Sequence, residues 1–212
     1  MYLFSRRGRI DGGHTMESMA WATAVTEKVN QITGLEVGLW MQVFSPGFGT
    51  VAWSTFVPDL ATLEAAGDKL NSDAGYVAMT DEGAAYISTG LDDSLSQIVH
   101  GEPDPNRAVE YVAVVQAVCA GGQAANGIGV GVEIAQQAEA VTGLPTMFAS
   151  NVTGPYGGVG WLTGYENIAA FEAAGDALNR DPAWLQLVDA KAGGVYLEDP
   201  ALTQQLIYRR IA

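Results

Sequence analysis

The groups in this 212-residue chain best suited to chemistry are few: two histidines, one cysteine, and a scatter of amides and guanidinium groups. His14 follows Gly12-Gly13 at the expected opening of a helix, where a neutral imidazole could act as a general base. The matching position in the second half of the chain holds Gln123, so a site built on His14 would exist once per chain. His100 lies near the middle. Two isolated histidines define neither a zinc site nor a Ser-His-Asp site, and no metal centre is expected. Cys119, at the end of a strand with no histidine beside it in sequence, reads as a small buried hydrophobe.

The elements that must position these groups come in duplicate. Leu63-Glu-Ala-Ala-Gly-Asp-Lys-Leu-Asn-Ser-Asp73 recurs as Phe171-Glu-Ala-Ala-Gly-Asp-Ala-Leu-Asn-Arg-Asp181, with Glu64 and Glu172 separated by 108 residues. Thr33-Gly34-Leu35 returns as Thr142-Gly143-Leu144 at a spacing of 109. One residue is therefore lost from the second copy, between Leu144 and Trp161, in the turn that reads Ser45-Pro-Gly-Phe-Gly49 in the first copy and Gly154-Pro-Tyr-Gly-Gly158 in the second. A repeat of half a chain is a duplicated domain and not a solenoid unit. The expected division is residues 1–101, a linker at 102–106 containing two prolines, and residues 107–212.

Composition narrows the partners. A formal charge of −14 repels a phosphate backbone, so nucleic acid is not an expected partner. Residues 111–132 carry no charge, but five glycines and the polar Gln116, Gln123 and Asn126 dilute them, and no membrane span is expected. A single cysteine and the absence of the basic-then-apolar order of an export signal point to the cytoplasm. Gly127-Ile-Gly-Val-Gly131 breaks the dinucleotide fingerprint and falls inside a helix, where close packing against a bulky group would offset the helix-weakening glycines.

Each copy has the same order of elements. Residues 2–10 read as a strand. Residues 15–33 place Met19, Ala22, Val25, Val29 and Ile32 on one helical stripe, stopped by Gly34. Residues 36–45 and 48–57 flank Pro46-Gly47 as a hairpin, and Asp59 and its counterpart Asn167 are placed to cap a second helix, residues 60–71 in the first copy. Residues 84–89 read as a strand, with residues 95–99 as an extra edge strand. The order βαββαβ is that of a ferredoxin-like plait, whose exposed sheet face a second copy would cover.

On these residues, and above all on Phe171 through Asp181-Pro-Ala-Trp184, the chain resembles a tandem member of the dimeric α+β barrel superfamily. That segment is similar to the "helix, then Asp-Pro and an aromatic" stretch of NIPSNAP-like and antibiotic-biosynthesis-monooxygenase-like domains. The first copy departs from it at Asp73-Ala-Gly-Tyr76. The resemblance implies an α+β fold in which two ferredoxin-like repeats form an intramolecular, pseudo-dimeric barrel. It also implies a mainly apolar cavity for a small apolar or aromatic molecule, and chemistry such as that of a cofactor-independent monooxygenase or isomerase. Haem-using members exist, and His14 would be the candidate ligand; no cofactor is otherwise expected. The alternative is a non-catalytic structural or oligomerisation module whose barrel is filled by its own side chains.

If Leu39, Met41 and Val43 face the helices, alternation turns Trp40, Gln42 and Phe44 to the opposite, interior face. Gln42 matches Asn151, Arg7 matches Gln116, and Trp40 matches Ala149. These groups could orient a carbonyl or phenolate of an aromatic ligand, or the carboxamides could satisfy one another or the backbone. Arg6, Arg7 and Arg9 could attract an anion or form salt bridges. Edge strands leave room for the pseudo-dimer to associate further.

Overall fold

A computed structural model describes residues 1–47 and 49–212. The first repeat contributes β1 (Tyr2–Arg9), α1 (Thr15–Thr33), β2 (Gly38–Val43), β3 (Thr50–Val57), α2 (Leu60–Ser72), α3 (Ala74–Gly83) and β4 (Asp92–His100). The second contributes β5 (Tyr111–Val118), α4 (Ala124–Thr142), β6 (Thr146–Asn151), β7 (Gly158–Tyr165), α5 (Ile168–Arg180), α6 (Pro182–Leu187) with a following π-helical turn (Val188–Ala192), and β8 (Gln204–Arg210). The strand expected from residue 48 begins at Thr50, and Phe48 lies outside the described residues.

All strand pairs are antiparallel, in the order β1-β3-β2-β8-β5-β7-β6-β4, and the sheet closes as a barrel. The chain is α+β. Two compact units form, Met1–Leu95 with Arg209–Ala212, and Ser96–Tyr208. They do not coincide with the repeats, because each repeat lends the end of its last strand to the other unit. In the first unit Leu39 N–H donates to Ala212 O at 2.8 Å; in the second, Ser96 to His100 run along β6 with a bulge between Ile98 and His100. We propose residues 102–106, within the irregular stretch after β4, as the join between repeats.

Local sequence explains most boundaries. α1 and α4 both end at glycines in the left-handed region, Gly34 with φ 74° and Gly143 with φ 70°, where a side chain would be strained. Asp59 and Asn167 cap α2 and α5, accepting from Thr62 and Ala170 N–H at 2.8 and 2.9 Å. Asp73 and Asp181 cap a third helix in each repeat, accepting from Tyr76 and Trp184 N–H.

Two expectations are corrected. Residues 84–89 form no strand: only Ile87 bridges to Ile10, and the chain before it is the helix α3. β4 is longer than residues 95–99 and is no extra edge, since it pairs with β6.

The caps make acid stability testable. Backbone N–H donation from Thr62 holds the Asp59 carboxyl below its ordinary range, and donation from Tyr76, then Lys28, does the same for Asp73. A depressed folded-state value means stabilisation present above the unfolded value of about 3.9 and lost as pH falls through the folded one. Replacing both by asparagine, which still accepts a hydrogen bond but does not titrate, is expected to flatten the fall in melting temperature on acidification below about pH 4. An unchanged acid limb would contradict this.

Candidate functional site

The helix-facing layer of each unit is filled by the chain itself. In the first unit, Ala22 of α1 sits against Leu39, Val51 and Trp53, and the Trp53 indole donates to Thr26 Oγ1 at 3.0 Å. Trp21 stands edge-on to Trp53, with ring centroids 6.0 Å apart, and donates to Met79 O. In the second unit Trp161 donates to Gly131 O at 2.8 Å, and Phe148 and Tyr196 lie 5.2 and 5.5 Å from its ring.

The glycines of α4 answer the packing question raised by the sequence. A Cβ at Gly131 would overlap the fully buried Phe148 ring, and one at Gly127 would overlap Cys119 Sγ. The Tyr196 hydroxyl donates to Gly127 O at 2.6 Å, and burial pushes both that phenol and the Cys119 thiol up in pKa. At these two glycines helix and sheet meet so closely that not even a methyl group fits between them.

The opposite sheet face is different. In the register of the first unit, Arg7 lies opposite Ala52 and Ala52 opposite Trp40; one step along, Arg9 lies opposite Thr50. Directly paired residues share a face, and strand spacing is about 4.8 Å, so Arg7 and Trp40 stand roughly 10 Å apart across an alanine floor. The Arg210 guanidinium lies 5.7 Å from the Trp40 ring centre. Gln42, on the Trp40 face by alternation, is buried and donates through Nε2 to Pro46 O, bracing its own hairpin. Arg7 is half-buried, and its guanidinium has no hydrogen bond or ion pair among the described residues. By contrast Arg6, on the helix side, makes a two-pronged pair with Asp93 at 2.7 Å.

The second unit repeats the geometry with smaller groups. Gln116 lies opposite Gly160, and Gly160 opposite Ala149. Asn151 accepts from Ser96 Oγ at 3.1 Å, and its carboxamide fills the space a Cβ on Gly158 would need. Both matched carboxamides are thus tied within their own units.

Phe44 requires a correction. β2 ends at Val43, so alternation stops before Phe44, which takes φ 51° in the turn and is 81% exposed.

His14 is exposed at the start of α1, and among the described residues its imidazole has no hydrogen-bond partner. A haem-ligating or general-base histidine needs its second nitrogen oriented and a sheltered space over the ring. Neither is present at His14, so His14 does not fit the role of a haem ligand. Sequence reasoning passed over the other histidine: His100 Nε2 is sheltered from solvent and lies 3.6 Å from Glu139, whose carboxylate accepts from Thr146 N–H. Among the described residues no three His, Cys, Asp or Glu converge, and no helix is long and apolar enough to cross a membrane.

No protein-family model and no curated protein sequence matches this chain. Solved structures do. A provisionally named monooxygenase from Fusobacterium nucleatum superposes with a TM-score of 0.72 at 6% identity, over 100% of this chain and 92% of that one. An anthrone oxidase-like protein gives 0.68 at 11% identity, over 100% of this chain and 91% of that one. The fold is that of the dimeric α+β barrels. A mutant chlorite dismutase from Candidatus Nitrospira defluvii, solved with cyanide, shares it at a TM-score of 0.56 and 11% identity, over 100% of this chain and 91% of that one. At such identities the likeness is one of fold, and the residues above must carry any functional reading.

Proposed function

We propose that this chain binds a small apolar or aromatic molecule on the sheet face turned away from the helices of the first unit. The observation that carries the reading is the contrast between the two faces. The helix-facing layers are closed by Leu39, Phe148, Trp53 and Trp161, whereas the opposite face presents Trp40 beside Ala52, with Arg7 half-buried and unpaired. An indole beside an alanine floor is a stacking platform for a flat ring.

The structural neighbours named as monooxygenases and as anthrone oxidase-like favour oxygenation of such a molecule; cofactor-independent oxygenation or isomerisation is the reaction class we propose. In that role the chain's own residues would hold and orient the ring; His14, exposed and unoriented, is not assigned the base. Gln116 and Asn151 of the second unit are left as lesser candidates for polar contact.

The second reading, a structural module without a ligand, is favoured by how completely side chains fill both helix–sheet layers. Thermal-shift measurement with naphthamide, a neutral flat aromatic, separates the two. A ligand bound only by the native state at about 100 times its Kd adds about 2.7 kcal/mol, so a rise of several degrees that is absent in Trp40→Leu is expected. No shift at saturating naphthamide would favour the module.

A further inference from the structure

Arg6, Arg7, Arg9, Arg209 and Arg210 are five of the chain's 10 basic residues, and all lie on β1 and β8. This clustering occurs in a protein of net charge −14. Arg6 is neutralised by Asp93. Arg7 and Arg9 are not: both share the face of Ala52 and Thr50 by register, and neither side chain has an acidic partner among the described residues. Arg210 adds its charge beside the Trp40 ring. At the matched positions the second unit has Gln116 and Val118 in place of Arg7 and Arg9, and Ala149 in place of Trp40. The cationic and aromatic row therefore occurs once.

A half-buried guanidinium left unpaired loses hydration without a compensating contact, in a chain with 24 acidic residues available to pair it. We infer that Arg7, with Arg9 and Trp40, forms a recognition site for an aromatic carboxylate. The ring stacks on Trp40 over Ala52, and the carboxylate takes the two parallel N–H donors of the Arg7 fork. A gap of roughly 10 Å between the two strand positions suits one or two fused rings with the acid at one end. The local excess of positive charge on an otherwise acidic surface draws an anion to this face and away from the rest of the molecule. The inference rests on the proposed aromatic binding, and adds the charge of the ligand and the residue that reads it.

The test is calorimetric titration of the full chain with naphthoate and with naphthamide, its neutral counterpart, at neutral pH. Tighter binding of naphthoate is expected, weakened at least about tenfold in Arg7→Gln, partly retained in Arg7→Lys, and weakened as salt rises. Naphthamide affinity should be nearly the same in all three proteins. Equal affinity for both probes, indifferent to Arg7→Gln, would overturn the carboxylate site while leaving aromatic binding intact. Failure of both probes would remove aromatic binding and the carboxylate site together. Should Arg7→Gln not fold, the salt dependence of the native chain decides, since naphthoate binding insensitive to salt contradicts a charge-reading site.

Discussion

Truncation of Phe148 to alanine is expected to destabilise the second unit by about 3–5 kcal/mol, the cost of a large buried aromatic lost from a core that cannot fully collapse. Phe148 is fully buried, its ring lies 5.2 Å from Trp161, and Gly131 rests against it. Around the resulting cavity stand Trp161, held to Gly131 O by its indole, and Ala135, itself fully buried; neither can swing in without breaking contacts it already makes. Chemical denaturation would check the figure. A loss below about 1 kcal/mol would mean that the layer is looser than described.

The second large effect runs the other way, by addition of one methyl group. Gly131→Ala would gain about 1 kcal/mol of helix propensity, yet the new Cβ must occupy the space of the Phe148 ring. Overpacking of a closed core costs typically about 1–3 kcal/mol, so net destabilisation is expected. The repeat supplies the rescue. In the first unit the positions matched to Gly131 and Phe148 are Ala22 and Leu39, a larger helix residue facing a smaller strand residue, and both are fully buried. Gly131→Ala combined with Phe148→Leu recreates that pair, and the double variant should be more stable than the sum of the single effects by more than about 0.5 kcal/mol. Strict additivity would show that the two residues do not share one space.

That exchange of size across matched positions was visible in the sequence, though its meaning was not. Alignment at a spacing of 109 pairs Ala22 with Gly131, Leu39 with Phe148 and Ile10 with Cys119, and the matching bridges Ile10–Ile87 and Cys119–Tyr196 add Ile87 with Tyr196. Only the fold shows that these positions meet. The helical stripes, the Gly34 and Gly143 stops and the Asp59 and Asn167 caps were legible because each is a local rule. The third helix was hidden because Ala74-Gly-Tyr-Val mixes a glycine with a β-branched residue, while its signal, the Asp73 cap, looked like loop composition. β4 was cut short at its start by Asp92 and Asp93, acidic residues that are unfavourable in strands but exposed here.

The candidate site was half legible. Period-two alternation placed Trp40 and Gln42 on the face opposite Leu39, and register places Arg7 with Trp40 across Ala52. The same rule failed at Phe44, because a pattern cannot show where a strand stops and a left-handed turn begins. Nor could it show that Gln42 is held by Pro46, that Asn151 is held by Ser96, or that the side chains of Arg7 and Arg9 on that face of the first unit have no acidic partner among the described residues.

The most direct test of binding on this face is an amide and indole NMR titration with naphthoate, following the five tryptophan Nε1–H signals and assigning Trp40 by its loss in Trp40→Phe. Binding beside Arg7 predicts that the Trp40 indole signal moves with ligand while those of Trp53 and Trp161, hydrogen-bonded in the helix-facing layers, stay in place. Movement of Trp53 or Trp161 with a stationary Trp40 would put the ligand between helix and sheet and contradict the site described here.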